Sequence, residues 1–170
     1  PDMFLIKGIQ QKIRETDKTL MIADTDNRYE QIDPLVRTFM EHRAEGILYV
    51  TESHREIVLP EMPNRCPMVL VNCFDVAGTP SVLPDDERGQ YDLVRNIIRR
   101  GHRRIAYITL QAGAEATRLR LAGYRRALDE SDMVFDPDLV QTGITDFAND
   151  SEPLIAAVLK LLSLADPPTV

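Results

Sequence analysis

The sequence predicts an α/β protein made of two lobes, each built on a parallel sheet with helices on both faces. Short, fully apolar runs alternate with longer segments whose apolar residues recur at helical spacing. Strands without polar alternation are typical of parallel sheets buried under helices. The alternation occurs twice, and a turn-rich segment with Gly78, Pro80 and Pro84 separates the two runs. We therefore expect a first lobe at 1–83 and a second lobe at 84–170.

The elements of the first lobe are indicated by periodicity and by turn residues. Asp24, Asp26 and Asn27 follow an apolar run and supply turn and N-cap chemistry for the next helix. Gly46 stops that helix before another apolar run. The predicted elements are, in order, a helix over about 3–16, a strand at Thr19–Ala23, a helix over about 29–43, a strand at Ile47–Val50, a short helix around 53–60 and a strand at Met68–Val71.

The second lobe begins with a helix that either Asp85 or Asp86 can cap and that Gly101 ends. Residues 167–170 resemble the start of a further strand, where an open parallel sheet rarely ends. We therefore expect a piece of a longer protein with strands missing at both ends, including the first strand of the first lobe. The predicted elements are, in order, a helix to about residue 100, a strand at Ile105–Leu110, a helix at 117–130, a weak strand at Leu139–Gln141 and a helix at 151–164.

Charge and composition exclude several classes of protein. The net charge of −7 argues against this segment gripping nucleic-acid phosphates, which requires a surplus of Lys and Arg on one face. No apolar run approaches the roughly 18 residues of a membrane span, and residues 1–4 lack a signal-peptide pattern. Cys66 and Cys73 are too few for a disulfide framework and lack the histidines of a metal cluster. We expect reduced structural thiols, no metal site, no membrane contact and a cytoplasmic location.

The sequence contains none of the common catalytic motifs: no GxGxxG or GxxxxGK(S/T) phosphate loop, no GxSxG elbow and no HExxH. His102 follows a helix, where it is expected to complement the partial negative charge of the C-terminus. Asp85 and Asp86 stand at a helix start, where one of them is expected to cap the backbone. An enzymatic alternative would use these three side chains. A separation above about 10 Å would rule it out, because proton transfer needs hydrogen-bond reach.

Arg118 and Arg120 stand near the start of a predicted helix, where the helix dipole disfavours positive charge. Each guanidinium therefore needs a partner, either an acidic side chain of the fold or a polar ligand that offers two acceptors, unless solvent alone covers it. Gly123 lies one helical turn after Arg120 and would let a neighbouring element approach that face. The residues alone leave these alternatives open.

Two motifs at short spacing, GHRRIAYI at 101–108 and ATRLRLAGY at 116–124, relate the chain to a known family. Together with the earlier segments they resemble, in order, the regulatory domains of the lactose and galactose repressor (LacI/GalR) family over essentially the whole chain. The resemblance implies the fold of type I periplasmic sugar-binding proteins, in which two Rossmann-like lobes enclose a cleft. The earlier matching segments are GI at 8–9, ADTD at 23–26, EGIL at 45–48, PMVLVN at 67–72 and DD at 85–86 with Gly89.

The resemblance also implies which side chains contact an effector. Arg120 would hydrogen-bond effector hydroxyls from the second lobe, with Thr117 in the same motif. Asn72 would contact the effector from the first lobe; many relatives have Asp there, and the amide keeps an acceptor without the charge, which suits a neutral polyol. Phe147 resembles an aromatic residue that packs against effector in some relatives. Asp2 stands where the family often has an aromatic contact at the start of the first helix.

The function implied by the resemblance is that of the effector-sensing domain of a bacterial transcriptional regulator, not that of an enzyme. A sugar or sugar derivative would bind between the lobes, without a cofactor, and change operator binding. A homodimer is expected, with operator DNA contacted through a helix-turn-helix that is absent from this chain. The alternative is a periplasmic sugar-binding protein of a transporter. An upstream signal peptide would favour that alternative, and an upstream helix-turn-helix would favour the regulator.

Overall fold

Helices and parallel strands make up the described part of the computed structural model, which comprises residues 3–60, 66–144 and 151–170. The chain divides into two units, Pro1–Pro84 and Asp85–Val170, which we call unit 1 and unit 2. The helices are α1 (Met3–Ile13), α2 (Ile32–Glu41), α3 (Asp86–Arg99), α4 (Glu115–Asp129) and α5 (Glu152–Leu162). The strands are β1 (Ile47–Glu56), β2 (Met68–Phe74), β3 (Ser81–Val82), β4 (Tyr107–Leu110) and β5 (Val140–Ile144).

Unit 1 is organised around a parallel sheet in the strand order β1-β2-β3. Ile47 of β1 lies opposite Met68 of β2. The apolar face of α2 packs Ile32 and Val36 against Ile47, and all three side chains are buried. Leu70 lies in the central strand β2 and is completely buried. Such burial is what the fully apolar run in the sequence predicts for a strand covered on both faces.

Unit 2 contains a second parallel sheet, in which β4 pairs with β5. Successive side chains of a strand point to opposite faces of a sheet. Tyr107 of β4 stacks on Tyr124 of α4, with ring centroids 5.6 Å apart. On the other face, a Cβ placed on Gly143 would meet both Ile108 and Leu154 of α5. Helices therefore cover both faces of this sheet, and the α/β class with flanked parallel sheets is confirmed.

The end of α3 follows the sequence signals closely. Gly101 has a φ of 96°, which glycine adopts without a steric penalty, and its N–H donates to the Ile98 carbonyl at 2.9 Å. The same carbonyl accepts a hydrogen bond from Arg103 Nη1 at 3.1 Å. The cation that complements this C-terminus is therefore Arg103. The prediction for His102 was wrong in this respect, because its Nδ1 lies 3.0 Å from Thr169 Oγ1 instead.

The helix predicted around 53–60 is not formed. Residues 53–56 continue β1, and residues 57–60 have no regular secondary structure. Arg55 and Glu56 lie opposite Cys73 and Phe74 in the parallel pair. The backbone of this segment is therefore satisfied by the sheet, and the polar residues that suggested a helix cap lie in an irregular part of the strand.

The strand predicted at Thr19–Ala23 is not formed either. A strand exists through hydrogen bonds to a neighbour, and within the described ranges no strand pairs with this segment. Met21 and Ile22 of this segment accordingly stay exposed.

Residues 169 and 170 lie beside the residues that precede β4. Thr169 N donates to the Arg104 carbonyl at 2.8 Å, and Ala106 N donates to the Val170 carbonyl at 2.7 Å. This arrangement fits the predicted start of a further strand. None of the helices in the described ranges is both long and apolar enough to cross a bilayer.

Candidate functional site

Arg120 lies on α4 and is fixed by a side chain of the neighbouring helix. Its Nε donates to Asp86 Oδ1 at 2.6 Å. The Asp86 side chain is 3% exposed, whereas the Arg120 side chain is 40% exposed. Among the described residues, Nε is the only nitrogen of this guanidinium with a hydrogen-bond partner. Of the alternatives left open by the sequence, an acidic side chain of the fold is therefore present, and the two terminal nitrogens remain for other acceptors.

Gly123 explains how the two helices come close enough for this ion pair. A Cβ at position 123 would overlap the Glu87 carbonyl oxygen and would lie 3.0 Å from Tyr91 N. The backbones of α3 and α4 are therefore in direct contact where a larger residue would separate them. The close approach predicted from Gly123 is confirmed, and the approaching element is α3.

The two adjacent acids at the start of α3 have separate roles. Asp85 is the N-cap, and its Oδ1 accepts a hydrogen bond from Arg88 N at 3.1 Å. Asp86 is the first residue of the helix, where the partial positive charge of the free N–H groups favours a carboxylate. The sequence left open which acid is the cap. A helix needs only one N-cap residue, so the second of the two adjacent acids was available to pair with a cation elsewhere. That signal for a partner of Arg120 was missed.

The other polar residues near the start of α4 are engaged within unit 2. Arg118 pairs with Glu115 on the same helix, Nε to Oε2 at 2.9 Å, and its side chain is 66% exposed. Thr117 is buried, and its hydroxyl donates to the Gln111 carbonyl at 2.9 Å. The Thr117 hydroxyl also lies 3.3 Å from Thr109 Oγ1. Among these three residues, Arg120 therefore has the most hydrogen-bond donors without a partner in the described part of the chain.

Asn72 lies inside β2 in a conformation that is unusual for a strand. Its φ is 62°, in the left-handed region that Asn tolerates better than most other residues. Its Nδ2 donates to the Thr51 carbonyl at 3.0 Å. Within the described residues, its Oδ1 accepts no hydrogen bond, and the side chain is half-buried. Asn72 therefore keeps one acceptor for an external donor.

Opposite Asn72, β1 bulges. The register passes from Val50 opposite Val71 to Arg55 opposite Cys73, so four residues of β1 face one residue of β2. We call residues 51–54 the β1 bulge. Thr51 is buried, and its hydroxyl lies 2.9 Å from the Asn72 carbonyl oxygen.

The sequence did not identify the β1 bulge as part of the site. His54 in the bulge is also buried, with its ring edge-on to Phe74 at a centroid distance of 5.8 Å. The available signal was the polar run Thr51-Glu52-Ser53 directly after an apolar strand, beside the segment predicted as a short helix around 53–60. Ligands of open α/β sheets bind at the carboxyl ends of strands, which is where this bulge lies.

Burial and hydrogen bonds fix the surroundings of the residues that follow Asn72. Burial raises the pKa of the Cys73 thiol. Asp75 accepts hydrogen bonds from both Thr79 N at 2.9 Å and Thr79 Oγ1 at 2.6 Å, and the bond from the hydroxyl lowers the pKa of the Asp75 carboxyl. This pair closes the turn that contains Gly78, whose φ is 76°. The turn-rich segment predicted between the two runs is therefore an ordered turn.

The predicted site residues fall into three groups. Arg120 and Thr117 lie one turn apart on α4 in unit 2. Asn72 lies in unit 1, beside the β1 bulge. Asp2 and Phe147 lie outside the described residues.

The enzymatic alternative is contradicted by the length of α3. Asp85 and Asp86 stand at the N-terminus of this 14-residue helix, and His102 stands beyond its C-terminus. At 1.5 Å per residue this helix is about 20 Å long, which is well beyond hydrogen-bond reach. Within residues 3–60, 66–144 and 151–170, no group of three or more His, Cys, Asp or Glu side chains is arranged to hold a metal ion.

Relatives of this chain are found among transcriptional regulators. The HTH-type transcriptional repressor PurR of Aliivibrio salmonicida is 24% identical over 168 residues, which are 97% of this chain and 49% of that protein. The sucrose operon repressor of Escherichia coli is 36% identical over 92 residues, which are 54% of this chain and 28% of that protein. The chain thus spans about half the length, or less, of these curated relatives.

The fold also matches solved structures. The crystal structure of a protein described as a LacI-family transcriptional regulator from Rhizobium etli has a TM-score of 0.86 and 34% sequence identity, and the match covers 97% of this chain and 60% of that one. A family model described as periplasmic binding proteins and sugar binding domain of LacI family matches residues 3–170. The match extends over nearly every residue, from α1 to the segment beside β4. The chain therefore belongs to the family of periplasmic binding proteins and LacI-type sugar-binding domains.

Proposed function

We propose that this chain is the effector-sensing part of a DNA-binding transcriptional regulator, and that its effector is a sugar or a sugar derivative. The observation that carries the proposal is the hydrogen bonding of the Arg120 guanidinium. Its guanidinium is fixed through Nε, while the two terminal nitrogens have no partner among the described residues. Two parallel N–H donors suit neighbouring oxygen acceptors of a polyhydroxylated ligand.

Asn72 provides a second contact in the proposal. Its Nδ2 is occupied by the Thr51 carbonyl, and its Oδ1 is available to accept a hydrogen bond from a ligand hydroxyl. An amide at this position carries no charge, so it favours a neutral polyol over a cationic ligand. Thr117 supports the position of Arg120 on α4, because its buried hydroxyl donates to the Gln111 carbonyl and so ties the start of the helix to the preceding loop. Asp2 and Phe147 stay candidates for contacts from the start of the first helix and from the segment before α5.

The partners follow from the relatives. Proteins named as repressors and transcriptional regulators match this chain, and we propose the same role for the protein that contains it. That protein would act in the cytoplasm as a homodimer, contacting operator DNA through a helix-turn-helix outside this chain. It would have no enzymatic activity. The effector would act through its different affinities for two arrangements of the protein.

The test is calorimetric titration of the full-length protein with sucrose, D-ribose, D-galactose and D-gluconate. For a sugar that binds, Arg120→Lys should lower the affinity by roughly ten- to a hundredfold, the loss that corresponds to hydrogen bonds from a charged group. Lysine keeps a cation opposite Asp86 but lacks the planar pair of nitrogens.

The matched control is Arg118→Ala, which removes an exposed arginine two positions away on the same helix. Affinity should stay within about twofold of the wild type, since Arg118 pairs with Glu115 at the surface. Undiminished sugar binding by a folded Arg120→Lys protein would show that the site has been placed wrongly.

A further inference from the structure

Asp86 is not needed as the cap of α3, because Asp85 already fills that position. Its ion pair joins a buried carboxylate to a half-exposed guanidinium, and such a pair is a weak source of stability because the cost of desolvating the carboxylate offsets much of the attraction. The Asp86 carboxylate is nevertheless almost completely buried. It accepts a hydrogen bond from Arg120 Nε, the guanidinium nitrogen that is bonded to the side-chain carbon. We propose that Asp86 is the positioning residue of the effector site, and this inference rests on the proposed function of Arg120.

The first step of the argument is the shape of the guanidinium. Its five N–H groups lie in one rigid plane, so fixing the direction of Nε–H restricts where both terminal nitrogens point. The Arg120 side chain is 40% exposed, and an arginine side chain that is free at that exposure loses rotamer entropy when a ligand fixes it. The Asp86 contact removes part of that loss in advance, which strengthens binding by preorganisation.

The second step is the rigidity of Asp86 itself. It lies in the first turn of α3 with 3% of its side chain exposed. Gly123 lets the backbone of α3 rest directly on α4. The carboxylate that orients Arg120 is therefore a fixed part of the helix pair.

Arg118 provides the internal comparison. It also pairs with an acid, but that acid, Glu115, lies on the same helix and is 25% exposed. A pair within one helix cannot fix its arginine against another element, and it leaves the Arg118 side chain 66% exposed. Of these two arginines in one motif, Arg120 alone is oriented by a second helix.

The test combines Asp86→Asn, Asp86→Ala and the control Arg118→Ala in the full-length protein. NMR of the arginine Nε–Hε groups, with the Arg120 signal assigned by its loss in Arg120→Lys, reports the hydrogen bond without any ligand. Sucrose, D-ribose, D-galactose and D-gluconate are then titrated by calorimetry. The signal of Arg120 should stay distinct in the wild type and in Arg118→Ala, and should move to the position of exposed arginines in Asp86→Ala.

For a sugar that binds the wild type, Asp86→Ala should lose roughly tenfold or more in affinity. Asp86→Asn, which keeps an acceptor oxygen and the same shape, should recover part of that loss. An Arg120 signal that is unchanged in Asp86→Ala, or full sugar affinity in both variants with the signal lost, would overturn the positioning role while the proposed function stands. If the wild type binds none of the four sugars, the proposed function fails, and the Nε–Hε signal alone decides whether Asp86 fixes the guanidinium.

Discussion

Unit 1 and unit 2 hold their candidate binding side chains by different means. Asn72 is directed by its own backbone, at a φ of 62°, and by the neighbouring β1 bulge. Arg120 has an ordinary helical backbone and is directed by a carboxylate on another helix. The difference indicates which changes each side chain can tolerate. Asn72 is sensitive to substitutions that alter local conformation, and Arg120 is sensitive to anything that moves α3 relative to α4.

The largest expected effect tests the helix pair. Gly123→Ala places a Cβ against the Glu87 carbonyl oxygen, and because that atom is backbone, the helices have to separate. We expect the free energy of unfolding to fall by about 3 kcal/mol, the upper part of the range for overpacking. Chemical denaturation measures this change. The NMR signal of Arg120 Nε–Hε should shift as well, because Asp86 moves with α3.

The control for this prediction is Gly89→Ala on α3. A Cβ there meets nothing within 4 Å, and alanine is favoured over glycine inside a helix by about 1 kcal/mol. The same chemical change should therefore stabilise the protein at one position and destabilise it at the other. Equal effects at both positions would mean that the two helices are not in the close contact described above.

The next effect tests the backbone of unit 1. Asn72→Ala loses the hydrogen bond to the Thr51 carbonyl and places alanine at positive φ, for a combined cost of about 2 kcal/mol. Asn72→Gly loses the same hydrogen bond but adopts positive φ freely, so it should be less destabilising. Urea denaturation of both variants separates the two contributions. If alanine were tolerated as well as glycine, the conformation of Asn72 would not be what directs its side chain.

A smaller effect concerns the core beneath α4. Tyr124 is buried, and its hydroxyl donates to the Ile105 carbonyl at 2.9 Å. Tyr124→Phe removes this bond and should cost about 1 kcal/mol at pH 8.

The pH dependence of the same residue has a definite sign. Burial raises the pKa of Tyr124 from 10.0 to about 12, so the folded state holds the phenol proton more tightly than the unfolded state does. Its contribution to stability is complete below pH 10.0 and is lost as the pH rises towards about 12. The stability of Tyr124→Phe should therefore fall less steeply than that of the wild type over this range, as measured by urea denaturation at a series of pH values. Equal slopes would contradict the buried position of the hydroxyl.

The smallest effect concerns the outer surface of the α3–α4 pair. The Tyr91 hydroxyl donates to Glu130, and this bond, followed by the charges of Arg126 and Arg95, lowers the pKa of the Glu130 carboxyl. The stabilisation is present above the ordinary carboxyl pKa and is lost as the pH falls through the lowered one. Tyr91→Phe should raise the pKa of Glu130 towards its ordinary value, as followed by NMR titration of the carboxyl carbon. An unchanged titration would show that Tyr91 does not hold this carboxylate.

The sequence predicted those features whose cause is local. The glycine stop after α3, the acid cap before it and the apolar faces of the helices depend on neighbouring residues, and each was placed within a few positions. The weak strand expected at Leu139–Gln141 overlaps the beginning of β5 at Val140, whereas Leu139 belongs to the short 3₁₀ turn Pro137–Leu139 that precedes it. Local preference thus identified the strand but not its length, which is set by pairing with β4.

Features that depend on distant pairing were not predictable in the same way. The segment at Thr19–Ala23 is apolar enough for a strand but has no described neighbour. β1 extends past Val50 because its residues Arg55 and Glu56 pair with β2 beyond the β1 bulge. The partner of Arg120 lies 34 positions earlier in the chain, and no spacing rule connects the two. The division of the chain into two lobes around a cleft stays a prediction.

The two free cysteines give unit 1 a chemical reporter that needs no substitution. Cys73 directly follows Asn72, is completely buried, and has its Sγ 3.8 Å from the Tyr49 carbonyl, whereas Cys66 is half-buried. Alkylating reagents attack the thiolate, and burial raises the pKa of the Cys73 thiol, so Cys66 reacts first and Cys73 reacts when β2 opens. The slow phase of alkylation therefore measures how often the strand that carries Asn72 opens, and a sugar that binds there should lengthen that phase.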